Sequence, residues 1–240
     1  MKPLVIGHAT AAGEAPENTL AGVRQALDAG AEAMEIDVLL TADGVPVLMH
    51  DTTADRTTNL HGHLRELTWD ELRHADAGDG EHVPTLESVF ELVAGRLTVM
   101  CELKATPEAP EWDTRLVEAA LEVVRRQEAE AWVAVHSFNP WMVTQARERE
   151  PRVSAAIISP PVAGAELERL INGTLRRGGQ AISVGHEAVT RELVLAAKRR
   201  QLSAWAWTAD RPEDWERLAA AGVDGIITNV PHQLRAFLGE

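Results

Sequence analysis

The sequence has little cysteine: Cys101 is the only one in 240 residues. One thiol excludes any intrachain disulfide and agrees with a reducing, cytoplasmic setting. Positive charge is also short, with 23 Lys and Arg against 37 Asp and Glu and a formal net charge of −14. That balance argues against a nucleic-acid partner, which wants a basic face. Long apolar runs are missing. Nothing approaches the ~20 residues of a membrane span, so no integral membrane contact is expected. The opening run Leu4-Val5-Ile6 is too short for a secretory signal. Linkers and low-complexity tracts are absent. Glycine is scarce after that first run, where a doubly wound sheet usually carries a Gly-rich turn. What is present is 45% hydrophobic residues. That is enough for a sizeable core and too much for a disordered chain.

Short apolar runs alternate with longer amphipathic ones. The short runs lie at Leu4–Gly7, Ala33–Val38, Leu97–Leu103, Trp132–His136, Val153–Ile158, Ala181–Val184, Ser203–Trp207 and Gly225–Thr228. Rich in Val, Ile or Trp, and too short for helices, they are read as buried strands. Helical patterns follow each, near Asn18–Ala29, Leu86–Ala94, Trp112–Ala129, Pro140–Glu150, Ala165–Ile171, Ala188–Arg200, Pro212–Ala221 and Pro231–Leu238. Leu116, Ala119, Ala120, Val123 and Val124 keep the spacing of one helical face. Eight βα units predict an α/β fold, a closed (β/α)8 TIM barrel, as a single domain over residues 1–240.

One segment breaks the rhythm. Asp43-Gly44 is a hairpin signal, and Val45–Met49 reads as a strand returning from it. The stretch to His82 is roughly forty residues, too long for a plain βα loop. It is read as a small insertion after the second strand, approximately 43–82, folded over the barrel mouth. Its histidines, His61, His63, His74 and His82, are too irregularly spaced for a zinc site and are expected to be solvated. Leu60, Leu64, Leu67 and Trp69 are either an exposed apolar rim or the insertion's own core.

Working groups of a βα barrel sit at the C-terminal ends of its strands. His8, Glu35, Asp37, Glu102, Lys104, His136, Trp205 and Trp207 all fall there. Alternation puts Glu35 and Asp37 on one face, and Glu102 and Lys104 on one face. Facing inward, three carboxylates and an ammonium meet at one mouth. Carboxylates so packed cannot all stay ionised in a dry site unless a cation joins them. Oxygen-only donors suit Mg²⁺ or Ca²⁺ better than zinc. The competing reading is a structural cluster paired with Lys or Arg. His8 and His50 together make an acid–base pair of suitable pKa, with Asp51 placed to orient the His50 ring. Asn18 is expected to cap the first helix or to fix the loop beside the metal. Trp205 is read as core. Trp207 is read as core or as the apolar wall of a pocket. Cys101, out of phase with Glu102, is expected between strand and helix.

The ordered set Ala15-Pro16-Glu17-Asn18-Thr19, Glu35-Ile36-Asp37-Val38, Thr41-Ala42-Asp43-Gly44-Val45-Pro46-Val47, His50-Asp51 and Arg56-Thr57-Thr58 resembles the glycerophosphodiester phosphodiesterase family. The likeness continues through Pro84-Thr85-Leu86, Glu102-Leu103-Lys104, Ser137-Phe138, Trp207-Thr208 and Asp224-Gly225-Ile226-Ile227-Thr228-Asn229. It implies a barrel with an insertion after strand 2. It also implies hydrolysis of glycerophosphodiesters, small-molecule substrates, to an alcohol and glycerol 3-phosphate. Glu35, Asp37 and Glu102 then resemble ligands of one Ca²⁺ or Mg²⁺, His8 and His50 the acid–base pair, and Lys104 the phosphate-contacting lysine. Glu17 is expected near the site without joining it, and Asp51, Arg56, Thr57 and Thr58 are expected to hold the insertion onto the barrel. One departure stands out. The family opens with His-Arg-Gly, and this chain has His8-Ala9-Thr10. Alanine cannot hold phosphate oxygens as a guanidinium does. Two alternatives follow: hydrolysis of another phosphodiester such as a lysophospholipid, or a non-catalytic phosphodiester-binding relative.

Overall fold

The computed structural model describes residues 2–239. Its strands are β1 (Leu4–Gly7), β2 (Ala33–Leu40), β3 (Pro46–Leu48), β4 (Thr98–Leu103), β5 (Val133–Ser137), β6 (Ser154–Ser159), β7 (Ala181–Gly185), β8 (Ser203–Trp207) and β9 (Gly225–Thr228). Its α-helices are α1 (Leu20–Asp28), α2 (Trp69–Leu72), α3 (Leu86–Val93), α4 (Pro110–Arg126), α5 (Pro140–Arg149), α6 (Gly164–Arg176), α7 (Arg191–Lys198), α8 (Pro212–Ala221) and α9 (Pro231–Phe237). Every strand except β3 is parallel to its neighbours, and β1 pairs with both β9 and β2, which closes the barrel. β3 folds back antiparallel on the far end of β2, with Val38 opposite Leu48. The closed (β/α)8 barrel expected from the alternation is therefore present.

Outward strand residues such as Val5, Met34, Ile36, Val99 and Val135 pack against the helices in one continuous shell. Inside the barrel, Ile6, Ala33, Met100, Ala134 and Ile227 form an apolar cluster against which Trp205 and Trp207 pack. That plug leaves polar strand-end residues above it, facing the mouth. Helix starts are fixed locally. Thr19, Thr85 and Thr190 accept the backbone N–H of Gly22, Ser88 and Leu193. Proline opens α4, α5, α8 and α9, where its missing N–H costs nothing. Gly222, at φ 86°, ends α8 in the left-handed conformation that glycine adopts without strain.

The segment between β3 and α3 carries a separate apolar cluster of Leu39, Val47, Met49, Ala54, Leu64, Leu72 and Val83. Leu60, Leu67 and Trp69 pack against it. These side chains form a small core that the segment shares with β2 and β3. Asn18 does not cap α1, since Thr19 does. α6 runs to Arg176 instead of stopping at Ile171, because Thr174 continues the ladder and donates its hydroxyl to the Leu170 carbonyl at 2.9 Å. Cys101 is buried in the strand–helix shell, and that burial pushes its thiol pKa well up. We expect no alkylation of the native protein by iodoacetamide near neutral pH, and full alkylation in denaturant, read by intact mass.

Candidate active site

Strand register assembles the site. Asp37 on β2 stands beside Glu102 on β4, and Glu102 beside His136 on β5. Glu35 lies two residues before Asp37 and shares its face. Glu35, Asp37 and Glu102 are all buried, and one carboxylate oxygen of each lies within 4.8 Å of the others. Lys104 Nζ donates to Asp37 Oδ1 at 3.1 Å and stands 2.8 Å from Glu102 Oε1. These four line a cavity of about 250 Å³ with His8, His50, His136, Phe138, Ile158, Ser183 and Trp207. Among the described residues lining it, Lys104 is the one Lys or Arg.

Glu35 and Asp37 are held from behind. Glu35 Oε2 accepts the Ala9 backbone N–H at 2.9 Å. Asp37 Oδ2 accepts Asn18 Nδ2 at 2.7 Å, while Asn18 Oδ1 accepts the Asp37 backbone N–H at 3.1 Å. Asn18 thus fixes the loop beside the carboxylates, at φ 55°, the left-handed region that asparagine tolerates better than most residues. Burial alone raises the Glu35 pKa, but His136, His8 and the Ala9 amide reverse this and hold it well below the usual range. Glu102 is shifted upward by burial, which Lys104 opposes and Glu35 and Asp37 reinforce. Burial acts to lower the Lys104 pKa, and Asp37 and Glu102 override it upward.

This cluster fits a divalent cation. Three carboxylates and one ammonium leave two formal negative charges. The donors are all oxygen, which suits a hard ion. Glu35 Oε1 is buried with no hydrogen-bond partner. Such an atom is expensive unless something outside the protein satisfies it.

The two histidines are oriented by different partners. Asn229 Nδ2 donates to Asp210 Oδ2 at 2.7 Å, so its Oδ1 faces His8 Nδ1, also at 2.7 Å. An amide oxygen only accepts, so His8 Nδ1 carries a proton, which leaves Nε2 as the nitrogen able to exchange one. Burial acts to lower the His8 pKa, but Glu35, Asn229, Asp37 and Asp210 raise it overall. His50 Nδ1 donates to Asp51 Oδ1 at 2.7 Å. Asp51 is held down to about 2, first by Arg56 and then by His50. Arg56 also clamps Glu17 through two bonds of 2.9 and 2.7 Å, which ties the segment after β3 to the β1–α1 loop.

His8, Ala9, Glu17, His50, Asp51, Arg56, Asp210 and Asn229 line an adjoining open cleft. Ala9 itself is buried and gives the site only its amide. Trp207 lines the cavity and meets Phe138 edge-on at 5.6 Å. Trp205 packs against the apolar cluster inside the barrel. His61 faces Asp55 on the exposed surface, away from the cavity lining. Sequence reasoning missed the Asn229–Asp210 support and the burial of His136 beside Glu35, whose Oε1 lies 3.7 Å from its Nε2.

The fold and this cluster define a βα-barrel enzyme with a carboxylate cradle able to hold a cation. The chain belongs to the glycerophosphoryl diester phosphodiesterase family, which matches residues 8–233. It is 34% identical over 243 residues to a glycerophosphodiester phosphodiesterase of Caldanaerobacter subterraneus subsp. tengcongensis, covering 98% of this chain and 97% of that one. Among solved structures, a phosphodiesterase of Oleispira antarctica in complex with the product sn-glycerol-3-phosphate is similar at TM-score 0.89 and 25% identity, covering 100% of this chain and 98% of that one. A glycerophosphodiester phosphodiesterase of Agrobacterium tumefaciens is similar at TM-score 0.82 and 26% identity, covering 98% of this chain and all of that one. Among the described residues, no helix is long and apolar enough to cross a membrane.

Proposed function

We propose that the protein hydrolyses glycerophosphodiesters to an alcohol and sn-glycerol 3-phosphate, with one Ca²⁺ or Mg²⁺ held by Glu35, Asp37 and Glu102. The observation that carries this reading is the meeting of three buried carboxylates, Lys104 and two oriented histidines in one cavity. Family membership supports it. When bound, the cation supplies Lewis-acid stabilisation of charge on the phosphate.

The chain's own groups do the rest. Lys104 turns its ammonium from Asp37 and Glu102 toward a phosphate oxygen. One histidine takes a proton at Nε2 from the attacking oxygen, and the other gives a proton to the leaving alkoxide. Asn229 and Asp51 hold each Nδ1–H, so both Nε2 atoms stay in register with the phosphate. Trp207 and Phe138 supply the apolar wall for the carbon chain. Burial of the cluster keeps water from weakening these charge interactions.

The test is release of sn-glycerol 3-phosphate from glycerophosphocholine. We expect release with Ca²⁺ or Mg²⁺ and loss of it in EDTA. Silence with either cation across several headgroups overturns the reading.

A further inference from the structure

The cavity has two unlike walls. One carries the carboxylates, Lys104, His8 and His50. The other joins apolar Phe138, Ile158 and Ile227 to three polar side chains, Ser183, Trp207 and His136, the last bordering the first wall beside Glu102 and Glu35. In that second wall both ring nitrogens of His136, the Ser183 hydroxyl and the Trp207 indole nitrogen are buried without a hydrogen-bond partner. His136 is 2% exposed and Ser183 0%. Native interiors pair nearly all such atoms, and a barrel lumen is ordinarily filled by branched aliphatic side chains. Here β5 and β7 place an imidazole and a hydroxyl at strand positions that share the inward phase of Ala134 and Ala181. Register sets Ser183 beside Ile158 and Trp205. The unpaired Glu35 Oε1 is accounted for by the cation cradle, and His136 Nε2 stands 3.7 Å from that oxygen, whereas His136 Nδ1, the Ser183 hydroxyl and the Trp207 indole nitrogen have no such account.

Their chemistry selects the ligand. The hydroxyl both donates and accepts, the indole N–H donates, and the imidazole offers Nδ1, its Nε2 standing beside Glu35. Phosphate oxygens of the ionised diester only accept and belong with Lys104 and the cradle. Alcohol hydroxyls donate and accept, and the apolar side chains between them suit C–H faces. We propose that His136, Ser183 and Trp207 form a hydroxyl-recognition subsite that holds the free hydroxyls of the glycerol arm. This rests on the reading of the reaction above and deepens it: the glycerol arm lies against the inner wall, and the other alcohol extends into the cleft lined by Ala9, Glu17 and Arg56.

The probes are sn-glycerol 3-phosphate and n-propyl phosphate, which keeps the three-carbon chain and lacks the hydroxyls. Each is titrated calorimetrically into the full chain with saturating Mg²⁺ or Ca²⁺. The wild type should prefer sn-glycerol 3-phosphate by at least about tenfold, because the analogue leaves buried polar groups unpaired. Ser183→Ala and His136→Phe should each cut that ratio by about three- to tenfold. His136→Gln, which keeps a donor and an acceptor, should retain more of it than His136→Phe. A wild-type ratio near one, no binding of either phosphate, or a ratio unmoved by Ser183→Ala and His136→Phe overturns the subsite. So does a His136 variant that weakens Ca²⁺ binding and leaves the ratio intact, since the ring would then serve the cradle. Binding is read without turnover. A wild type that binds selectively yet releases nothing from glycerophosphocholine sinks the reaction and not the subsite.

Discussion

His8→Ala and His50→Ala should each lower turnover of glycerophosphocholine by about 10²–10⁴-fold, the usual contribution of a positioned acid or base. Neither ring belongs to the apolar clusters, so circular dichroism and thermal midpoint should change little. The two losses should differ in kind. A p-nitrophenyl diester has a leaving group that departs without protonation. The variant missing the general acid should recover most of its rate on that substrate, and the variant missing the base should not. This comparison assigns the roles that the two supports, Asn229 for His8 and Asp51 for His50, leave undivided. Rates within about tenfold of wild type in both variants would remove the pair from the chemistry.

The parts of this site that were legible in the sequence are those fixed by phase along one strand. Glu35 and Asp37 are two residues apart, as are Glu102 and Lys104, so alternation alone put each pair on one face. The barrel was legible because its strands are buried apolar runs separated by amphipathic ones, and Asp43-Gly44 marked the hairpin into β3. What stayed hidden depends on closure. His8 and Asn229 are 221 positions apart and meet only because β1 pairs with β9. No periodicity carries that information. His136 was visible as a strand-end residue, but its place beside Glu35 follows from the register linking β2, β4 and β5. Helix ends failed for a local reason. Asn172-Gly173 reads as a stop, yet Ile171 and Thr174 are buried on the face that α6 turns inward, so packing outweighs the glycine. α2 escaped notice because four residues are too few for periodicity. Its signal was the Thr68 to Glu71 spacing, where the carboxylate accepts the Thr68 backbone N–H at 2.7 Å.

Cation and pH should control stability together, with Glu102 as the titrating group. Without a cation its pKa lies above the ordinary glutamate range, chiefly through burial. A carboxyl with a raised folded-state pKa contributes stability that is complete below its unfolded value and lost as pH rises through the folded one. Above that point the ionised cluster repels itself, offset by Lys104 and by His8 and His136 beside Glu35. A divalent cation binds the ionised form, so its affinity should rise with pH. At about 100 times the dissociation constant, binding adds about 2.7 kcal/mol. For a chain of this size that is an upward shift of about 5–10 °C in thermal midpoint. Scanning calorimetry between about pH 5 and pH 8 should show the Ca²⁺ or Mg²⁺ shift growing with pH. Glu102→Gln separates the two effects. In EDTA at the alkaline end it removes a buried charge and one repelling partner, and Lys104 keeps Asp37, so the midpoint should hold or rise. In saturating cation the same variant lacks a ligand, and most of the shift should disappear. If Glu102→Gln gains as much from the cation as the wild type does, or if the wild type gains nothing at any pH, the three carboxylates are not a cation site.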